Sequence, residues 1–496
     1  MSKVIWPKAS PQRVARSLEA HAVIGLSISC LIYILVVTGT LSVFNHELQR
    51  WEQPHVPEML DISPAAAEQA ALAVFNSEDE PTTHLFINFP QPDLPRTVIT
   101  TDTQAFFVDQ DGLIADEESF PWTQFLLDLH YYLHLPHILG LTVVGAIGAM
   151  LIGLSLSGFL AHPRVFRDAF TFRKGAGRLT LADLHNRLSV WTAPFHISNA
   201  LTGAMLGLAS ILAFALAAAR FDGDFQQVFD PVFGAEPALS GDAGEVADLS
   251  AALTHFRAEY PELELVYAIV HDPTAEGQHT QLIAEHPTRL IFGDYYNYDA
   301  DGVFLGNTGI SDGTLGQQIA GSVYNVHFGN WGGLPIKLAY GAFGIMLSVI
   351  TASGLGIYFT KRAEKGRPAR RLEGAWEGVI WGVPLALAAT LVAAIAGAAG
   401  PAVLVGGFWS ITLGASVFGC FVGKQQARSW LPIMISALIA AAVLSHMARF
   451  GTAAFSRAGL PVSQILVATA VVFALPFLKR RLRPRPRLEA VSTPAE

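Results

Sequence analysis

Long apolar runs alternate with polar stretches along this chain. Eight of the runs reach the roughly 20 residues that a helix needs to cross a bilayer. They cover 22–44, about 137–161, 188–219 and 338–360, then two within the uncharged stretch 378–423, where Gly400-Pro401 makes a natural turn, and finally about 429–447 and 460–478. The run at 188–219 is longer than one crossing requires. The first run is too long for the apolar core of a signal peptide, and it ends in Phe44-Asn45-His46-Glu47 instead of a small-residue cleavage site. Two long polar stretches interrupt the spans at 45–129 and 220–334. Each opens with a helix-like segment, 64–75 and 249–260. Alternating strands follow, at 84–89, 96–101 and 105–108 in the first, and at 264–270, 280–285 and 290–298 in the second. Each then carries an Asp-x-Asp-Gly turn, Asp109 to Gly112 and Asp299 to Gly302, a hairpin signal.

Composition agrees with a membrane chain. The 496 residues have a mean hydropathy of +0.38 and are only 15% charged, where soluble domains carry about 25%. The net charge of -9 argues against nucleic acid as a partner. Cys30 and Cys420 both lie in apolar runs, which leaves no disulfide framework and no thiol metal site. Bases cluster at four places: the head (Lys3, Lys8, Arg13, Arg16), the stretch 164–187, the stretch 361–371 and the tail from Lys479. The positive-inside rule puts all four, and so both termini, on the cytoplasmic side. The long stretches hold 16 acids against 2 bases and 17 acids against 3 bases, and belong outside.

The chain repeats itself. His21 precedes Thr38-Gly39 by 17 residues, and His185 precedes Thr202-Gly203 by 17. His130 precedes Ser157-Gly158 by 27, and His327 precedes Ser353-Gly354 by 26. Residues 1–175 and 176–372 are therefore two copies of span, αβ insertion, span. A membrane region of four more spans follows at 373–480, and a basic tail at 481–496. Both copies start on the same side, so the repeat is parallel, about an axis along the membrane normal. That symmetry sets His21 level with His185 near the inner face, and His130 level with His327 near the outer face.

Ionisable side chains in or beside spans are costly and face the bundle interior. Two neutral imidazoles from facing helices can hold an iron porphyrin from both sides, a state suited to electron transfer. Gly25 and Ser189, each four residues after a histidine, are small enough to let a ring approach. The bland alternative is that each histidine is an interfacial or capping residue, which four repeat-related positions make harder to accept. A rival metal reading rests on His130, His134 and His137, whose spacing places them on one helical face for Zn²⁺ or Cu²⁺, although Pro136 interrupts it. His196 lies 11 residues beyond His185 on nearly the same face, with Ile32 as its counterpart in the first copy. His46, His55, His84, His162, His255, His271, His279 and His286 read as loop or interfacial residues, and His446 as structural. Without a CxxCH motif any haem is b-type, and no nucleotide motif is present.

These features resemble the PepSY-associated transmembrane-helix family. The resemblance lies in Arg16-x4-His21-x3-Gly25 with Thr38-Gly39, in Leu129-His130 with Ser157-Gly158, in Asp183-Leu184-His185 with Pro194-Phe195-His196 and Leu201-Thr202-Gly203, and in His327-Phe328-Gly329-Asn330-Trp331-Gly332-Gly333 with Ser353-Gly354. It implies PepSY-like αβ insertions, a multi-pass protein of the bacterial inner membrane, and a link to iron uptake, some members being di-haem ferric-siderophore reductases. The four extra spans depart from the commoner four-span form.

The fold expected is an all-α polytopic membrane protein of about eight transmembrane helices with two small α+β extracytoplasmic insertions. The function expected is a di-haem b oxidoreductase passing electrons to a ferric siderophore or other ferric chelate, from a quinol or a cytoplasmic reductase. His21, His185, His130 and His327 are the axial ligands, with His134 and His196 as alternatives, and iron enters through haem alone. No other catalytic side chain is singled out. The competing class is a non-redox protein, a chelate transporter or a peptide or metal sensor.

Overall fold

The structure is a computed structural model that describes residues 10–162, 164–170, 173, 177–234, 243–397 and 400–482. Lys3, Lys8, Lys174 and the basic tail beyond Leu482 lie outside the described residues. The chain divides into two compact units, Met1–Gly366 and Arg367–Glu496.

In the first unit, helix α1 (Pro11–Ser42) starts at an N-cap, where the Ser10 hydroxyl accepts from the Arg13 amide at 3.3 Å and Pro11 supplies a preset first turn. A short α2 (Asn45–Glu52) leads into the first insertion: α3 (Pro64–Asn76), β1 (His84–Asn88), β2 (Thr97–Thr100), β3 (Ala105–Val108) and β4 (Ile114–Glu117). Then come α4 (Pro121–Tyr132), α5 (His137–Ala161) and the short α6 (Val165–Asp168). The second copy follows the same plan. Its first span is broken at Thr192 into α7 (Arg178–Trp191) and α8 (Ala193–Arg220), with Pro194 at the start of the second piece. The break takes only the first turn of the apolar run into α7, and α8 itself is 28 residues long. Next come α9 (Gln226–Phe233), α10 (Leu249–Glu259), β5 (Glu264–His271), β6 (His279–Glu285), β7 (Asp294–Tyr298) and β8 (Phe304–Thr308), then α11 (Leu315–Phe328) and α12 (Gly333–Glu364).

The two insertions share one antiparallel sheet, in the order β4-β3-β2-β1-β5-β6-β7-β8. The seam is the β1–β5 ladder, where His84 faces His271 and Asn88 faces Tyr267. One face of the sheet packs on α3 and α10. Leu85, Ile87, Ala268, Val270, Leu282 and Tyr298 lie there with Val74 and Phe256, all almost fully buried. Burying such a side chain contributes about 1.5–3 kcal/mol. The two Asp-x-Asp-Gly turns are built alike. Asp109 Oδ1 accepts from the amides of Asp111 and Leu113 at 3.0 and 2.9 Å, and Asp299 Oδ1 from those of Asp301 and Val303 at 3.0 and 2.8 Å. Gly112 and Gly302, at φ 81° and 72°, complete them.

The second unit consists of α13 (Arg370–Ile395), α14 (Pro401–Val422), α15 (Lys424–Phe450) and α16 (Leu460–Leu482). Gly374 and Gly378 of α13 press on the backbone of Gly419 and Ala415 of α14, the small-residue approach by which apolar helices pack in lipid. Glu377, buried on α13, accepts from Arg428 Nε and Nη2, both at 2.8 Å, and from the Trp381 indole at 2.7 Å. Among the described residues, eight helices are long and apolar enough to cross a membrane. The protein is a multi-pass membrane protein with an αβ insertion in each repeat.

Candidate functional site

The repeat brings the four principal histidines together in two pairs. His21 of α1 faces His185 of α7, with ring centres 6.3 Å apart and ring planes at 82°. His130 of α4 faces His327 of α11, again with centres 6.3 Å apart, and with planes at 21°. The second pair sits on the helices that leave the sheet, and the first is distal to it. Each pair takes one histidine from each copy.

Every ring is anchored through Nδ1. That of His21 donates to the Leu154 carbonyl at 2.9 Å and lies 3.3 Å from the Ser157 hydroxyl. That of His185 donates to the Ile350 carbonyl at 3.0 Å and lies 3.3 Å from the Ser353 hydroxyl. His130 donates to the Leu35 carbonyl at 3.0 Å, with Thr38 at 3.4 Å. Thr202 directs its own hydrogen to the Ser198 carbonyl at 2.9 Å, so its oxygen accepts from His327 Nδ1 at 3.0 Å. A hydrogen bond made by one ring nitrogen decides what the other can do. Protonation at Nδ1 leaves Nε2 as a lone-pair donor on all four.

The same contacts explain the hydroxyl–glycine dipeptides. The spans of each copy exchange partners: His21 rests on Ser157-Gly158 and His130 on Thr38-Gly39, while His185 rests on Ser353-Gly354 and His327 on Thr202-Gly203. A Cβ at Gly39 would stand 2.5 Å from His130 Cε1, and one at Gly203 2.8 Å from His327 Cε1. At Gly158 and Gly354 the distances to His21 and His185 are 3.2 and 3.3 Å. The small residues in contact with the imidazoles are these four glycines, whereas a Cβ at Gly25 would meet only Leu154, at 3.7 Å. The sequence marked the dipeptides as repeat signals, and only the fold shows that they serve the histidine of the other span.

The alternatives fall elsewhere. Helix α4 ends at Tyr132, and Leu133 and His134 both take left-handed backbone at φ 55°. His130, His134 and His137 thus share no helical face, and among the described residues no group of three His, Cys, Asp or Glu is arranged to hold a metal ion. His134 stacks on Phe125 at 5.0 Å, and His137 meets Tyr132. His196 is buried on α8, with its Nδ1 3.2 Å from the Thr192 hydroxyl. Asn199 donates to the His327 carbonyl at 3.2 Å. Three histidines read as loop residues lie on strands instead. His84, His271 and His279 form one row across β1, β5 and β6. Burial, with His279 and His84 beside it, holds His271 down to about 4. His446 is fully buried in α15 against Phe450.

An ionic cluster that the sequence did not announce ties the copies together beside the sheet. Lys337, buried at the start of α12, lies 3.1 Å from Glu47 of α2 and 2.7 Å from Asp93, and Asp93 also meets His46 at 3.1 Å. Nearby, Glu285 faces the Asn325 amide, two residues before His327. Burial, with Glu264 and Asp93 adding, pushes its carboxyl up to about 7.

A family model described as the PepSY-associated TM region matches residues 18–362, both copies and all four paired histidines. The chain belongs to the PepSY-associated TM family. "Uncharacterized protein PA4219" of Pseudomonas aeruginosa is 33% identical over 118 residues, 24% of this chain and 30% of that protein. The match thus spans under a third of the relative's length. The PepSY-associated TM region ends with α12, so α13–α16 lie outside it.

Proposed function

We propose that this PepSY-associated TM protein is a di-haem b oxidoreductase of the bacterial inner membrane. His21 and His185 would hold one haem and His130 and His327 the other. Haem, when bound, supplies one-electron redox chemistry. The observation that carries this reading is the ring separation. A metal–imidazole bond is about 2.0–2.1 Å, and the ring centre lies about 1.2 Å beyond the nitrogen. Two imidazoles on opposite sides of one iron therefore have centres about 6.3 Å apart, and both pairs stand at 6.3 Å. The Nδ1 anchors support it further, since they hold each ring in the tautomer that offers Nε2. The glycines leave the rings room, and the two pairs lie at opposite ends of the spans that carry them.

The basic clusters support cytoplasmic termini, which places the His130–His327 pair and the sheet outside. Electrons would pass outward, from a quinol or a cytoplasmic reductase, to a ferric siderophore or another ferric chelate. Hard oxygen donors hold Fe³⁺ better than Fe²⁺, so reduction loosens the iron. The acidic insertions favour neutral or cationic chelates. The test is the reduced-minus-oxidised visible spectrum and the pyridine haemochrome content of the purified chain. A b-type spectrum with two haems per chain is expected. A colourless, folded preparation would overturn the reading in favour of a chelate transporter or a peptide or metal sensor.

A further inference from the structure

A half-open cavity of about 520 Å³ lies where the two insertions meet. The first copy contributes Leu60 and Asp61, which precede α3, and the Phe89-Pro90-Gln91-Pro92 turn that follows β1. The second contributes the end of α10 and the start of β5, including Tyr260 and Glu264. The turn is pinned there, because the Phe89 backbone amide donates to the Val266 carbonyl at 2.9 Å and the Gln91 side-chain Nε2 to that of Leu265 at 3.1 Å. The volume falls in the range of small-molecule sites, about 300–1,000 Å³. The walls are aromatic and proline-rich, and Leu60 stands at the rim with 90% of its surface exposed.

The polar groups decide what can enter. The cavity's one basic side chain, Arg257, already bonds Asp61 and the Ile62 carbonyl, both at 2.9 Å. Glu264 is exposed and carries the remaining charge. Anions find no open cation here, whereas a neutral or cationic amphiphile loses nothing.

The cavity is also linked to the sheet-proximal pair. Glu264 stands opposite Glu285 in the β5–β6 ladder. Glu285 faces Asn325, two residues from His327 on α11. On the other rim, Asp93 follows Pro92 and is bound by Lys337 of α12. We infer that this cavity is the docking site of the electron acceptor, and that it takes a neutral or cationic metal chelate with apolar flanks. The inference rests on the oxidoreductase reading for the word acceptor, but the binding site stands on its own geometry.

Redox-inert gallium(III) complexes separate the two. Calorimetry on the full chain in nanodiscs would use a neutral gallium trihydroxamate and a trianionic gallium tricatecholate. The neutral complex is expected to bind, and the trianion about tenfold or more weaker. Leu60→Arg, at a solvent-exposed position, should weaken the neutral complex about tenfold and leave haem content and thermal unfolding unchanged. Tyr260→Ala should weaken it similarly, whereas Leu60→Met should retain it. A haem-bearing chain that binds neither complex overturns the docking site, as does binding indifferent to Leu60→Arg. A chain without haem that still binds the neutral complex at Leu60 and Tyr260 keeps the site and sinks the oxidoreductase reading.

Discussion

The two histidine pairs have the same ring separation and different construction. In the distal pair both copies use one device. His21 and His185 each donate to a backbone carbonyl, at 2.9 and 3.0 Å, and each lies 3.3 Å from a serine hydroxyl. The sheet-proximal pair is unequal. His130 leans on the Leu35 carbonyl, while His327 leans on the Thr202 hydroxyl, and both rings press much harder on their glycines. The rings are crossed in one pair and nearly parallel in the other. Position accounts for the contrast. The distal histidines lie inside α1 and α7, each of which runs on past them. The proximal ones sit at the C-terminal ends of α4 and α11, just before a reversal of the chain. That reversal is made by Leu133 and His134 in one copy and by Gly329 and Gly332 in the other, all at positive φ. A pseudo-symmetric fold can keep the spacing a ligand needs while the surroundings diverge.

This comparison can be broken in order of size. The largest effect is expected from the histidines. His21→Ala and His185→Ala should each abolish the same haem, and His130→Ala and His327→Ala the other, as read by haemochrome content and by two separable signals in a redox titration. Loss of the proximal haem through His134→Ala with His130→Ala silent, or of the distal haem through His196→Ala with His185→Ala silent, would overturn the assignments.

Glycine substitutions come next, and they sharpen the contrast. Gly39→Ala and Gly203→Ala place a methyl against His130 and His327 at distances no ordinary contact allows, so the proximal haem should be lost or its occupancy fall severalfold. At Gly158 and Gly354 the neighbours need yield only by tenths of an ångström, so Gly158→Ala and Gly354→Ala should retain the distal haem. Equal losses at all four would show that the pairs are equally crowded.

The smallest effect concerns the hydroxyls. Thr202→Val removes the group nearest His327 Nδ1, whereas Ser157→Ala leaves His21 its carbonyl. Loss of an outer-shell partner costs about 10–100-fold in metal affinity. A measurable rise in haem dissociation is therefore expected for Thr202→Val and little for Ser157→Ala. The reverse order would contradict the anchoring.

Residue order alone disclosed a good deal. The eight apolar runs, the copy boundary and the matched offsets from histidine to hydroxyl–glycine are all local or periodic signals, and so are the Asp-x-Asp-Gly turns. Family membership was legible for the same reason. The folded chain supplied what depends on contacts between residues far apart in sequence. Offsets could align His130 with Ser157, but could not show that Ser157 serves His21, because the exchange exists only once α1 packs on α5. Likewise, two insertions of four strands each can stand apart or join. Joining them is decided by the edges of β1 and β5, which pair across about 180 residues and so remove two exposed strand edges at once. The spacing of 136 to 168 residues between each distal histidine and its serine is beyond any periodic pattern. Such pairings are chosen by the packing that buries them, and the sequence records them only as separate small residues and hydroxyls.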